Sequence, residues 1–437
     1  MTGGGSRGDI QSLVILRPTA AIFLCIGLWN IRLSHIREYR FLFGMAAAIL
    51  MLMAVHLVPL PPSVWSIFPG REIVTEIDKL VELGGVWRPL SLVPSASWNS
   101  LYALMVPLTV LVLAAQIQHE QRFQLLAVLI ALGLLSGFWG LLQSIGPSEG
   151  PLYLYRITNN GAAVGLFSNR NHQAVFLASL FPMLAVFASF GIRTMEQAKL
   201  YGWLAIAAGA ILIPLLLVTG SRAGLVAGLI GLGFAFVLYR RPEISQPNKR
   251  KAKPRFDPRL MIGAFGTIML GGITFLLARA QALERLSAND RTDELRLQIW
   301  GPIVEMSGKY FPLGSGAGSF VEVYQIGEPN NLLGINYINH AHNDWLETYL
   351  TMGLPGLLLL GVAIVTFLVV AWRHTRSAVR NRQTAFGRLG AIVIFLLATA
   401  SIADYPLRIP SLACVFVIAC IWVASPDVRK PKNAGTN

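Results

Sequence analysis

Residues 348–371 read TYLTMGLPGLLLLGVAIVTFLVVA, 24 consecutive positions without a charged side chain. A hydrocarbon core ~30 Å thick is crossed by about 20 apolar residues in helical form. This run is therefore long enough to span a membrane. Apolar runs of similar length recur near 12–30, 41–59, 99–117, 123–145, 172–191, 200–219, 222–239, 260–279, 386–403 and 407–425, so the sequence predicts eleven spans. Composition agrees: 54% of the 437 residues are hydrophobic and 13% are charged, about half the ~25% typical of soluble chains. The expectation is an all-α polytopic membrane protein, with residues 1–437 forming a single integral domain.

The net charge of +14 raises the question of nucleic acid. The basic residues lie between apolar runs, and no basic domain interleaved with aromatics is present to hold a strand, so a nucleic-acid partner is excluded. Topology explains the charge better. Arg32, Arg37 and Arg40 follow the first run, Arg193 and Lys199 the fifth, and Arg373, Arg376, Arg380 and Arg382 the ninth. Segment 240–259 carries eight Lys or Arg between the seventh and eighth runs. By the positive-inside rule these loops and the 426–437 tail are cytoplasmic. Alternation then places 60–98, 146–171 and the long 280–347 segment at the outer, periplasmic face, with short turns at 219–222 and 404–408. Eleven spans put the N-terminus outside, and a missing first helix is the preferred explanation. Cys25, Cys414 and Cys420 lie inside apolar runs without metal-ligand spacing and are assigned no chemistry.

An enzyme working at one face of a membrane concentrates its polar residues in that face's loops, and 280–347 does so. Arg296 precedes Trp300 by four residues, on one helical face, where an indole would hold the guanidinium at the interface. Gly314, Gly316 and Gly318 alternate in a run that brings backbone N–H groups toward an anion or simply turns between helices. The sharpest constellation is Asn339-His340-Ala341-His342-Asn343-Asp344-Trp345-Leu346-Glu347. It suits three roles: a metal site, interfacial anchoring, or acid/base work in which Asp344 or Glu347 orients a histidine. Arg222 lies in a turn too short to leave the membrane surface, where a charge is expensive unless it meets an anion or a water-filled cavity. Asn169, Arg170 and Asn171 open the fifth span, where they suit sugar hydroxyls or cap the helix.

The order of these motifs resembles the O-antigen ligase and O-antigen polymerase family over roughly residues 100–425. The likeness rests on Gly165-Leu-Phe-Ser-Asn169-Arg-Asn171, Thr219-Gly-Ser-Arg222, Arg296-Leu-Gln-Ile-Trp300, the Pro-Leu-Gly-Ser-Gly run, His340-Ala-His342-Asn343 and Gly353-Leu-Pro-Gly356. The resemblance implies a C-type glycosyltransferase-like fold with a large helical periplasmic loop, in the bacterial inner membrane. Family members often have about twelve spans, which agrees with a missing first helix. The implied reaction takes a glycan from undecaprenyl diphosphate at the periplasmic face, without metal or cofactor. Arg222 and Arg296 would bind the diphosphate and His342 would be the base, while His340 matches no family position. Asn169, Arg170, Asn171, His340, Asn343 and Gly316 are expected to bind substrate. The acceptor is lipid A core for a ligase, or a second lipid-linked glycan for a polymerase of lipopolysaccharide or exopolysaccharide repeats. A transporter or flippase without catalysis is the alternative from another class. The scarcity of ionisable residues within the spans argues against it.

Overall fold

The computed structural model describes residues 3–190, 194–242, 291–334, 337–379 and 381–425. In chain order its helices are α1 (Leu13–Asn30), α2 (Leu33–Glu38), α3 (Arg40–Val55), α4 (Pro62–Trp65), α5 (Glu72–Leu80), α6 (Pro94–Ala103), α7 (Met105–Ala114), α8 (Arg122–Ile145) and α9 (Arg170–Ser189). They continue as α10 (Met195–Val218), α11 (Arg222–Leu238), α12 (Arg291–Lys309), α13 (Phe320–Gly327), α14 (Asp344–Arg376), α15 (Arg382–Ala403) and α16 (Pro410–Ala424). The strands among the described residues are β1 (Pro59–Leu60) and β2 (Arg88–Pro89), an antiparallel pair that joins the start of the 60–98 region to its later part.

Ten of the eleven apolar runs fall on these helices. Seven segments are long and apolar enough to cross a membrane, and α3, α11 and α16 are shorter apolar helices. The run at 260–279, most of segment 240–259, the start of 280–347 and the 426–437 tail lie outside the described residues. The run expected at 99–117 instead starts at Pro94 and divides into α6 and α7 at Leu104. Pro107 explains the break, because it has no N–H to offer the carbonyl of Ala103, four residues earlier.

Helix α9 is the core of the bundle and is buried along almost its whole length. Small residues on α11 let the two backbones close together: a Cβ on Gly224 would lie 2.2 Å from that of Ala174, and one on Gly231 2.5 Å from the Ala178 carbonyl. The outward faces stay apolar, with Leu229 and Phe236 of α11 and Leu358 and Val365 of α14 strongly exposed. Such faces suit a hydrocarbon surround.

Helix α14 shows how the polar end of the bundle is built. Asn343 caps it by accepting the Trp345 and Leu346 N–H groups at 3.1 and 3.0 Å. The helix then kinks at Gly353, whose φ of 56° lies in the left-handed region. Pro355 has no N–H for the Thr351 carbonyl, which instead accepts from Gly316 N–H at 2.9 Å. The Leu350 carbonyl accepts from Ser315 N–H at 3.0 Å, and Leu354 N–H turns to the Pro312 carbonyl at 2.7 Å. The Gly-rich run thus clasps the kink and satisfies the backbone groups the kink releases. A Cβ on Gly316 would also come within 2.7 Å of Ser91 Cα, so the clasp reaches the 60–98 region as well.

Candidate functional site

Helices α9, α11, α14 and α16 begin, and α15 ends, at the same end of the bundle, and their termini carry the site. Asp404 immediately follows α15 and is 5% exposed. A carboxylate buried to that degree requires partners. Asn171 Nδ2 donates to its Oδ2 at 2.7 Å and Asn169 Nδ2 approaches at 3.4 Å. His342 Nδ1 lies 3.3 Å and His172 Nε2 3.6 Å from Oδ1, while an Arg296 terminal nitrogen lies 3.8 Å from Oδ2. Burial alone pushes the Asp404 carboxyl up, but His172, His342 and Arg296 outweigh it and hold the group well below the usual carboxylate range.

Tyr405 fills the space beside Asp404, its ring centroid 4.3 Å from that of His340, 4.9 Å from His342 and 5.0 Å from His172. His342 itself has a φ of 49°. A left-handed backbone at a non-glycine residue costs roughly 1–2 kcal/mol and must be held by its surroundings. Here the Asn343 cap, the Tyr405 ring and Asp404 hold it, which aims the imidazole at the carboxylate.

Beside this cluster opens a cavity of about 290 Å³ lined by Arg170, Asn171, Ser221, Arg222, Arg296 and Trp300, among others. Three guanidiniums from three helices face one space, and no acidic side chain among the described residues lines it. Ser221 caps α11 through Gly224 N–H and donates to Asn171 Oδ1 at 2.7 Å, tying the Arg222 turn to the Asp404 cluster. Trp300 donates to the Ala341 carbonyl at 3.1 Å and borders a shallower cavity of about 450 Å³ walled by Trp345 and Tyr349.

Most of the residues singled out in the sequence therefore converge. Arg170, Asn171, Arg222 and Arg296 line one cavity, and His342, Asn169 and Asn171 surround Asp404. Asn169 also caps α9. The remaining groups are placed as follows. The carboxylate facing His342 is Asp404, not Asp344 or Glu347. Glu347 instead faces His340, with Oε1 3.1 Å from Nδ1, so the two histidines of the motif face different carboxylates. Gly316 does not line the arginine cavity and its N–H is committed to the clasp. Asn343 caps α14 and borders the shallower cavity.

Asp404, Tyr405 and Arg408 were not picked out as site residues by sequence reasoning. A signal was present: Asp404 and Arg408 bracket a five-residue turn between two apolar runs, the same circumstance that marks Arg222.

The fold and the site define a polytopic helical membrane protein with an arginine-lined cavity beside a histidine–carboxylate cluster at one end of its bundle. Residues 207–361 match the family model described as O-antigen ligase. The family resemblance read from the motifs is thus shown over the stretch from α10 into α14. That stretch holds Arg222, Arg296, Gly316, His340, His342 and Asn343, whereas Asn169, Arg170, Asn171 and Asp404 lie outside it. No curated protein sequence matches the chain.

Proposed function

We propose that the protein is a metal-independent, inverting glycosyltransferase of the O-antigen ligase type. It moves a glycan from undecaprenyl diphosphate to an acceptor hydroxyl at the periplasmic face of a bacterial inner membrane. In this reading 60–98 and 280–347 lie on that face, and 240–259 and 426–437 lie in the cytoplasm. The observation that carries the proposal is the convergence of Arg170, Arg222 and Arg296 on one cavity beside the His342–Asp404 pair.

The acceptor oxygen attacks the anomeric carbon as the bond to the diphosphate oxygen breaks, and the leaving oxygen keeps the electron pair. His342 Nδ1 faces Asp404 Oδ1 at 3.3 Å, so the carboxylate orients the imidazole and leaves Nε2 to take the hydroxyl proton. General-base assistance supplies ~10²–10⁴-fold and is not the whole catalyst. The remainder falls to the guanidiniums, which stabilise the charge developing on the diphosphate and take the part a divalent cation plays elsewhere. The aromatic wall formed by Trp300, Trp345 and Tyr349 offers apolar faces to the rest of the donor.

The test supplies purified protein in nanodiscs with an undecaprenyl-diphosphate-linked repeat and follows diphosphate release in the presence of EDTA. Release that requires lipid A core identifies a ligase, and elongation of the lipid-linked glycan identifies a polymerase. Folded protein that releases nothing with either acceptor overturns the reading in favour of a transporter.

A further inference from the structure

At the opposite end of the bundle, the start of α15, the end of α7 and the α7–α8 turn enclose a second cavity, of about 580 Å³. Helix α15 has 22 residues, so this cavity lies roughly 30 Å from Asp404 at ~1.5 Å per residue. It shares no lining residue with the proposed reaction site.

Two guanidiniums line it. Arg122, the first residue of α8, is 2% exposed. One of its terminal nitrogens donates to Tyr39 Oη at 2.6 Å and the other to Ser425 Oγ, while Nε has no partner. Arg382, the first residue of α15, donates to the Glu120 carbonyl at 3.0 Å and lies over the Phe123 and Phe386 rings; its Nε is also without a partner. Among the described residues, neither guanidinium has a carboxylate within ion-pair distance. Hydroxyl and carbonyl oxygens satisfy some of their N–H groups, and the carboxylates of Glu38 and Glu120, which line the same cavity, lie beyond ion-pair distance of both. The N-termini of α8 and α15 add positive partial charge at the same place.

Guanidiniums without an ion pair among the described residues suit a phosphate, whose oxygens match their planar donor face. Exposed Glu38 and Glu120 line the same cavity and suit an ammonium. We infer that this cavity is a phospholipid headgroup site, taking a phosphate diester on Arg122 and Arg382 and a headgroup amine on Glu38 and Glu120. The charge pattern of the loops assigns this end to the cytoplasm, so the ligand is a phosphatidylethanolamine-like lipid of the inner leaflet. Its binding ties together the starts of α8 and α15 and the end of α16, which Arg122 reaches through Ser425.

Native mass spectrometry of the full-length protein tests this after delipidation and reloading from phosphatidylethanolamine or phosphatidylglycerol vesicles. Retention of phosphatidylethanolamine is expected to exceed that of phosphatidylglycerol, and to fall about tenfold in Arg382→Gln, the effect of losing one charge-assisted contact. Arg376→Gln, which removes an exposed guanidinium stacked on Trp372, is expected to leave retention unchanged. Glu120→Gln is expected to abolish the preference for the amine headgroup while the fold persists, so the inference does not depend on Arg122 variants that fail to fold. Unchanged retention in Arg382→Gln, an equal loss in Arg376→Gln, or equal retention of the two lipids by the wild type would overturn it. Thermal stabilisation by inorganic phosphate equal to that by lipid would also overturn it, leaving only a soluble-anion site.

Discussion

Two polar clusters lie side by side at the site end of the bundle, and they differ in what they border. In one, Arg408 donates to Asp344 at 3.0 Å and forms an ion pair with Glu347 at 3.1 Å, Ser401 donates to Asp344 at 2.9 Å, and His340 faces Glu347. Two carboxylates hold one arginine, which raises the Arg408 pKa against the lowering effect of its burial. In the other, the single carboxylate Asp404 faces His172, His342 and Arg296, next to a cavity lined by Arg170, Arg222 and Arg296. The first cluster is closed on itself and locks α14 to the turn before α16. The second borders a cavity that three arginines line. Ionisable residues at a membrane surface are thus not equivalent: a cluster that closes on its own ion pairs holds the fold, and one that borders a cavity can meet a charged substrate.

The largest expected effect lies in the open cluster. His342→Ala is expected to lower diphosphate release by ~10²–10⁴-fold, with Asp404→Asn comparable and the protein still folded. A steady-state release assay paired with a thermal melt checks both halves. Losses confined to stability would erase the distinction between the clusters. Next in size is the closed cluster. Arg408→Leu leaves Asp344 and Glu347 buried without their cation and is expected to cost about 3–5 kcal/mol of stability. Thermal denaturation in detergent reads this directly, and a variant as stable as the wild type would show that the cluster does not hold the fold.

The sequence carried the helical membrane architecture because spanning length and charge bias are local signals, readable at 348–371 and 123–145. Arg222 stood out for the same reason, at the edge of an apolar run, whereas Arg296 stood out by its spacing to Trp300 and His342 by its place in the 339–347 motif. What was not legible depends on tertiary pairing. Nothing local distinguishes Asp344 and Glu347, beside His342 in the chain, from Asp404, which is 62 positions away in sequence and 3.3 Å away in space. The role of Gly316 was hidden likewise, because its partner is the Thr351 carbonyl exposed by a kink 37 residues downstream, at Gly353.

A smaller effect sharpens that last point. At Gly316 φ is 111° and a Cβ would press on Ser91, so Gly316→Ala is expected to cost about 1–3 kcal/mol in backbone strain. Donor affinity per folded molecule should be unchanged; isothermal binding on the folded fraction checks this, and a selective loss of affinity would return Gly316 to the substrate site. The smallest expected effect is a flat line. A carboxylate whose folded pKa is depressed contributes stability fully above its unfolded value of ~3.9 and loses it only as pH falls through the folded value. Asp404 is therefore ionised throughout pH 5–8, and the ratio of wild-type to Asp404→Asn rates should not vary across that window. A tenfold change in the ratio would mean that Asp404 titrates there.

The most direct test of the central claim separates donor capture from chemistry. Wild type, His342→Ala and the double variant Arg222→Ala/Arg296→Ala, each in nanodiscs, are mixed with undecaprenyl-diphosphate-linked glycan, and bound donor and released diphosphate are measured in one turnover. The account predicts that His342→Ala binds donor like the wild type but releases almost no diphosphate, whereas the double variant fails to hold the donor. Wild-type release by His342→Ala, or undiminished donor binding by the arginine variant, would contradict it.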